Sequence, residues 1–186
     1  KARSIFDAGV MLPINADHIF VTHGHPDHIG ALPSIVARRA THKVTSGKKL
    51  HIHLPEGIAD TVRTALTLLE GVFGDRTTSC WELHGHVPGD LVSVGGNVSA
   101  RALRTYHGVA SCGWAVEETV RKLKPELVGG DGNHIAALKQ QGHVVTDEHI
   151  NIECVIPGDT MIDFLIREEA ARKAKVLCHE VTFWGS

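Results

Sequence analysis

The run Thr22-His23-Gly24-His25-Pro26-Asp27-His28 constrains this chain more than any other segment. It places three imidazoles and one carboxylate within six positions, directly after the apolar Ile19-Phe20-Val21 and directly before a helix-like stretch. Neutral imidazole and carboxylate are ligands that zinc and similar divalent ions take, and an open coordination position turns such a site catalytic. Gly24 is expected to let the chain fold tightly between the first two histidines. Pro26 suits the first turn of the helix that follows, so Asp27 and His28 project from that turn toward the strand end. With 14 histidines in 186 residues some clustering arises by chance. The surrounding order of strand, glycine, proline and helix is what marks a metal motif rather than a histidine-rich surface loop.

Hydrophobic spacing orders the rest of the chain. Ser4 to Asp7 open in a strand-like segment, Val10 to Asn15 read as a loop and Ile19 to Val21 as a buried strand. Pro26 to about Arg39 form one helix, with Ile29, Leu32, Ile35, Val36 and Ala40 at helical spacing. Leu50 to Leu54 alternate as a strand. Ile58 to Val72 make an amphipathic helix ended by Gly71 and Gly74. A β-rich series follows, with strands at Trp81 to His84, Asp90 to Val94, Val98 to Tyr106 and Gly113 to Glu117, and a Gly95-Gly96-Asn97 hairpin turn. Pro125 to Asn151 are rich in Gly, His and polar residues, with a short helical tendency around Ile135 to Gln140, and are expected to be a mobile excursion. Ile152 to Ile156 return to strand, Met161 to Lys173 form a helix capped by Thr160, and Lys175 to Cys178 a last strand.

The length suits one domain spanning residues 1–186, and the aliphatic-rich, aromatic-poor composition suits a soluble α/β protein. No run approaches the ~18 to 20 apolar residues of a membrane span, and no signal sequence opens the chain, so an intracellular, soluble protein without a membrane partner is expected. Cys80, Cys112, Cys154 and Cys178 are widely spaced, which favours reduced thiols over a disulfide framework. The formal charge of -2 cuts against nucleic-acid binding by the surface as a whole. Local basic stretches remain at Arg38, Arg39, Lys43, Lys48 and Lys49, at Arg121, Lys122 and Lys124, and at Arg167, Arg172, Lys173 and Lys175. Each reads first as a solvated face. His51 with His53 and His84 with His86 form two His-x-His pairs on strands, which puts both rings of each pair on one sheet face; lacking a third partner at matching positions, they read as structural. His134, His143 and His149 are expected to face solvent.

The metal run resembles the His-x-His-x-Asp-His signature of the metallo-β-lactamase superfamily. Further segments, in family order, are similar to its tRNA 3′-processing branch, the ribonuclease Z type. These are Ser4 to Gly9, Leu54 to Ile58, His107-Gly108-Val109-Ala110-Ser111-Cys112-Gly113-Trp114, Pro157-Gly158-Asp159-Thr160 and His179-Glu180-Val181-Thr182-Phe183. The resemblance implies an αββα sandwich with the site at one edge of two packed sheets, and a single metallo-β-lactamase-like domain. It puts His23, His25 and His107 on a first ion and Asp27 and His28 on a second, with Asp159 between them. Two divalent ions, zinc by ligand type, would hold the attacking and leaving oxygens of a phosphoryl displacement. Asp27 would also act as base, Asp7 would orient a ligand or its loop, and Glu180 would pair with a downstream histidine to protonate the leaving group. His179 reads as a strand-end residue before a ligand.

The implied substrate is precursor tRNA or another RNA. The excursion at about 125–151 falls where ribonuclease Z enzymes carry a flexible RNA-gripping arm, and Leu138 to Val145 are similar to a Lys-Leu-Lys-x-Gly-x-x-Val stretch near its base, without the arm's Gly-Pro turn. The sequence reaches Ser186 before the family's Thr-His-x-Ser ligand segment, and Lys1 opens within strand-like sequence. The domain is therefore expected to be cut at both ends, with the last ligand coming from further sequence, from a second copy in a homodimer or from a partner chain. Two other readings compete: a hydrolase of small esters or cyclic phosphates in the same superfamily, and a catalytically inactive scaffold module of an RNA-processing assembly.

Overall fold

The computed structural model describes residues 2–11, 13–42, 48–73 and 77–180. Two sheets face each other. The first has four parallel strands in spatial order β1 (Ser4–Phe6), β2 (His18–Phe20), β3 (Leu50–Pro55) and β4 (Trp81–His86). The second has β5 (Leu91–Gly95), β6 (Val98–Arg104), β7 (Cys112–Leu123) and β8 (Thr146–Gly158) as an antiparallel meander, with β9 (Val176–His179) added parallel to β8.

Parallel strands need crossovers, and α2 (Leu32–His42) and α3 (Glu56–Phe73) supply them on the outer face of the first sheet. Leu50, Ile52 and Leu54 point toward these helices and bury with Ile19, Leu32, Ile35, Val36 and Leu66. On the far side of the second sheet, α5 (Asp163–Arg167) and α6 (Glu169–Lys173) bury Phe164 and Ala171 against Leu103, Ala115 and Val155. Helix, sheet, sheet, helix is the expected αββα sandwich. The layer between the sheets is thinner in aliphatics, built on Phe20, Ala100, Ala102, Cys112 and Trp114.

Several expectations change in detail. The helix after the metal run is two helices, α1 (Pro26–Ile29) and α2, because the Ala31 N–H donates to Ala8 O at 2.8 Å instead of continuing the helical ladder. At the break, a Cβ on Gly30 would lie 2.4 Å from Pro26 O. Helix α3 runs through Gly71, and Gly74 lies outside the described residues. The Met161 to Lys173 helix is also split in two, and Thr160 caps neither half; its Oγ1 accepts the Tyr106 N–H at 2.9 Å. Gly95 and Gly96, with φ of 110° and 65°, make the expected hairpin turn.

Arg39 is not on a solvated face. It is 2% exposed and donates to Ile14 O, Ala16 O and Lys48 O, tying three loop carbonyls to α2. Lys43 lies outside the described residues. From Pro125 to Asn151 the chain forms a single 3₁₀ turn, helix α4 (Gly132–Gln140) capped by the Asp131 side chain, and the first half of β8. Together with the outer half of β7 this is a ribbon tipped by a helix, and His134, His143 and His149 are exposed there. Among the described residues no helix is long and apolar enough to cross a membrane.

Candidate metal centre

The centre forms where the C-terminal end of β2 meets the start of β7. Trp114 is fully buried and its indole N–H donates to Val21 O at 3.1 Å, while the Cys112 N–H donates to Thr22 O at 2.9 Å. His23 then bridges to Ser111. This clamp draws His23 into the seam between the sheets, where it is fully buried.

Thr22 and Asp7 set the orientation of the rings. Asp7 is the one described non-glycine residue with positive φ, 58°, a region aspartate tolerates better than most side chains. Its carboxylate accepts the Thr22 N–H at 2.7 Å, the Thr22 hydroxyl at 3.0 Å and His28 Nδ1–H at 2.8 Å. With its proton given to Asp7, Thr22 Oγ1 accepts from His23 Nδ1–H at 3.1 Å. Both histidines are thereby held with an unprotonated Nε2 turned to the centre, the arrangement a metal ligand requires. Asp7 therefore fixes the His28 ring and, through Thr22, the loop that carries His23.

His23, His25, His107 and Asp159 each bring a donor atom within 4.8 Å of the others. His23 Nε2 lies 2.9 Å from His25 Nδ1, and the His107 ring stands edge-on to both, 4.8 Å from His23 and 5.2 Å from His25. His107 Nε2 is buried without a hydrogen-bond partner, a cost an ion at this point removes. Asp159 presents one oxygen to each donor group. Its Oδ2 is 3.7 Å from His23 Nε2 and its Oδ1 is 3.2 Å from His28 Nε2. Asp27 completes the second group at the mouth, its side chain 76% exposed and its Oδ2 3.4 Å from His28 Nε2.

Close backbone contacts support this packing. Gly158, at φ 65°, has no room for a side chain, since a Cβ would lie 2.4 Å from Thr22 Oγ1. Gly9 passes under Asp27 so closely that a Cβ would overlap its carbonyl oxygen. Gly24 does not play the part expected of it: a Cβ there meets only Ile58 at 3.6 Å, and the tightness falls on Gly9 and Gly158. Pro26 does open α1.

The electrostatics are mixed. Burial, then the neighbouring His28, push the His23 pKa down, which keeps it neutral. For His28, burial alone is the largest effect and lowers the pKa, but the Asp7 hydrogen bond and the charges of Asp7, Asp159 and Asp27 together raise it. Glu180 sits beside the centre, its Oε1 accepting the Thr160 N–H at 3.2 Å. His179 pairs in register with Gly158, its Nδ1 is 2.6 Å from Glu180 O and its ring packs against Phe164, so it is not among the converging donors. Val181, Thr182 and Phe183 lie outside the described residues.

A histidine and carboxylate centre at the edge of an αββα sandwich defines a class of metal-binding hydrolase folds. The family model of the metallo-beta-lactamase superfamily matches residues 11–105. The chain is 36% identical over 172 residues to tRNase Z TRZ1 of Arabidopsis thaliana, covering 91% of this chain and 60% of that protein. It is 30% identical over 135 residues to Nuclear ribonuclease Z of Triticum aestivum, covering 70% of this chain and 72% of that protein. A human tRNase Z, short form, superposes with a TM-score of 0.49 at 20% identity, over 62% of this chain and 54% of that one. The chain belongs to the metallo-beta-lactamase superfamily, in its ribonuclease Z branch. It spans 60% and 51% of the length of the two Arabidopsis tRNase Z proteins it matches.

Proposed function

We propose that this domain is the metal-binding part of a zinc-dependent phosphodiesterase that cuts precursor tRNA on its 3′ side. The observation that carries the reading is Asp159, whose two oxygens face two separate donor groups, 3.7 Å from His23 and 3.2 Å from His28. His23, His25 and His107 would hold one ion, Asp27 and His28 the other, and Asp159 both. When bound, such a pair supplies charge stabilisation to a transferring phosphoryl group and a nucleophile at neutral pH.

The chain's own residues do the rest. Asp7 and Thr22 keep His28 and His23 in the ligating tautomer. Asp27, at the exposed mouth, orients the attacking water and takes its proton. Glu180, held by the Thr160 N–H next to Asp159, would carry a proton to the leaving oxygen. The β7–β8 ribbon, with Lys122, Lys124 and Lys139 on it, serves as the RNA-gripping arm away from the metals. The test is cleavage of precursor tRNA by the full-length protein, with the cut site mapped. Loss of cleavage with a strong chelator and its return with zinc are expected. Unchanged cleavage after complete metal removal, or turnover of small esters with none of RNA, overturns the reading.

A further inference from the structure

The inner face of the first sheet carries an imidazole layer that the centre above does not use. His18 on β2, His51 and His53 on β3, and His84 and His86 on β4 all point toward the second sheet, the face opposite Ile19, Ile52 and Leu83. Two strings of contacts run through it. His18 Nδ1, His53 and His86 join at 3.1 Å and 3.0 Å, and His86 Nδ1 lies 3.5 Å from Asp90 Oδ2. One Nδ1–H tautomer on each ring satisfies that first string.

The second string does not close in the same way. His51 Nδ1 lies 3.2 Å from His84 Nε2 and 3.7 Å from Glu82 Oε2, so one ring proton faces two acceptors. The donor atoms of His51, Glu82 and His84 lie within 4.8 Å of one another. Two nitrogens bound to one tetrahedral zinc at about 2.0–2.1 Å are about 3.3 Å apart, which the 3.2 Å spacing matches. A cation in place of the single proton satisfies all three groups.

We propose that His51, Glu82 and His84 form a second zinc-type site on this face, toward the N-terminal ends of β3 and β4. The primary centre lies past the C-terminal end of β2. Lys49 Nζ binds Glu82 Oε1 at 2.7 Å and so turns Oε2 toward the two rings. Access comes from an opening lined by Asp17, His18, Lys49 and His51. Three protein ligands leave the fourth position to water.

The experiment is zinc titration of the metal-free full-length protein by calorimetry, with elemental analysis of the loaded product. His51→Gln, Glu82→Gln and His25→Ala are compared with the unmodified protein, and folding is checked by circular dichroism. His51→Gln and Glu82→Gln are each expected to lose one zinc equivalent and to keep phosphodiester hydrolysis. His25→Ala is expected to keep this equivalent while losing metal at the primary centre. Should His51→Gln fail to fold, Glu82→Gln decides, because its half-exposed carboxylate is dispensable to the core. Equal stoichiometry and affinity in the unmodified protein and Glu82→Gln overturn the proposal, whatever the outcome at the primary centre.

Discussion

Acid should weaken this fold through His53. The residue is 3% exposed, stacked on Phe20 at 4.5 Å and edge-on to Trp114 at 6.4 Å. Burial, reinforced by the neighbouring imidazoles of His86, His84, His18 and His51, brings its pKa from 6.5 down to about 2. Because the folded value lies below the unfolded one, protonation favours the unfolded chain. The contribution is intact above pH 6.5 and is lost progressively as pH falls toward the folded value. At pH 5, 1.5 units below the unfolded pKa, the loss from His53 is about 2 kcal/mol at 1.36 kcal/mol per unit. His18, His84 and His86 shift in the same direction. His28, whose pKa is raised, acts oppositely: its contribution is present below pH 6.5 and is lost as pH rises. Urea unfolding of chelated protein between pH 7.5 and 5 measures the sum, and His53→Leu isolates the residue. The expected result is a stability that falls toward pH 5 in the unmodified protein and falls less steeply in His53→Leu. Parallel profiles for the two proteins would refute the reasoning, since His53 would then be protonated equally in both states.

Other substitutions probe the centre itself. Asp7→Asn, which keeps the backbone conformation available but weakens the hold on His28 Nδ1–H, should lower metal affinity by about 10–100-fold in a zinc competition assay, with near-normal circular dichroism. Gly158→Ala should cost about 1–3 kcal/mol in urea unfolding, from its positive φ and the clash with Thr22. Replacing Pro125 to Val144 by Asn-Gly between Lys124 and Val145, whose backbones already pair at 3.0 Å, should weaken precursor tRNA binding in a filter assay far more than it slows hydrolysis of a small phosphodiester. Equal losses on both substrates would make the ribbon part of the core.

The metal run and most strand and helix segments were legible in the sequence because they rest on short-range patterns, whereas the αββα layering of those segments came through resemblance. A strand, a proline and a helix start fixed the surroundings of His23 to His28, and the alternation Leu50-His51-Ile52-His53-Leu54 sorted one sheet's two faces. His107, Asp159 and Glu180 carry no such local pattern. They were reached through resemblance, and the structure brings His107 and Asp159 to His23 and His28 and sets Glu180 beside them. The split of the helix after Pro26 was not legible, because it depends on Ala31 bonding to Ala8, more than twenty residues upstream. Arg39 reads as a surface cation until the carbonyls of Ile14, Ala16 and Lys48 are seen around it. Glu82 is not legible as a partner of the His-x-His pairs for a related reason: parallel pairing sets it opposite His51, and register between strands thirty residues apart is not written in either strand.

The donors of the primary centre come from both sheets. His23, His25, Asp27 and His28 follow β2 of the first, while His107 and Asp159 follow β6 and β8 of the second. Between the sheets lie few aliphatic groups and a layer of imidazoles, so rings rather than the branched aliphatics of the first helix-facing layer fill the seam. An ion held between His23 and His107 would therefore act on the docking of the two sheets. Its binding free energy enters folding directly, because the unfolded chain does not hold these residues together. Metal removal should then lower the unfolding midpoint and loosen the seam at Trp114, whose indole spans it to Val21 O, before it disturbs the helix-backed halves. Tryptophan emission that shifts on chelation while far-ultraviolet dichroism holds would separate seam opening from global unfolding.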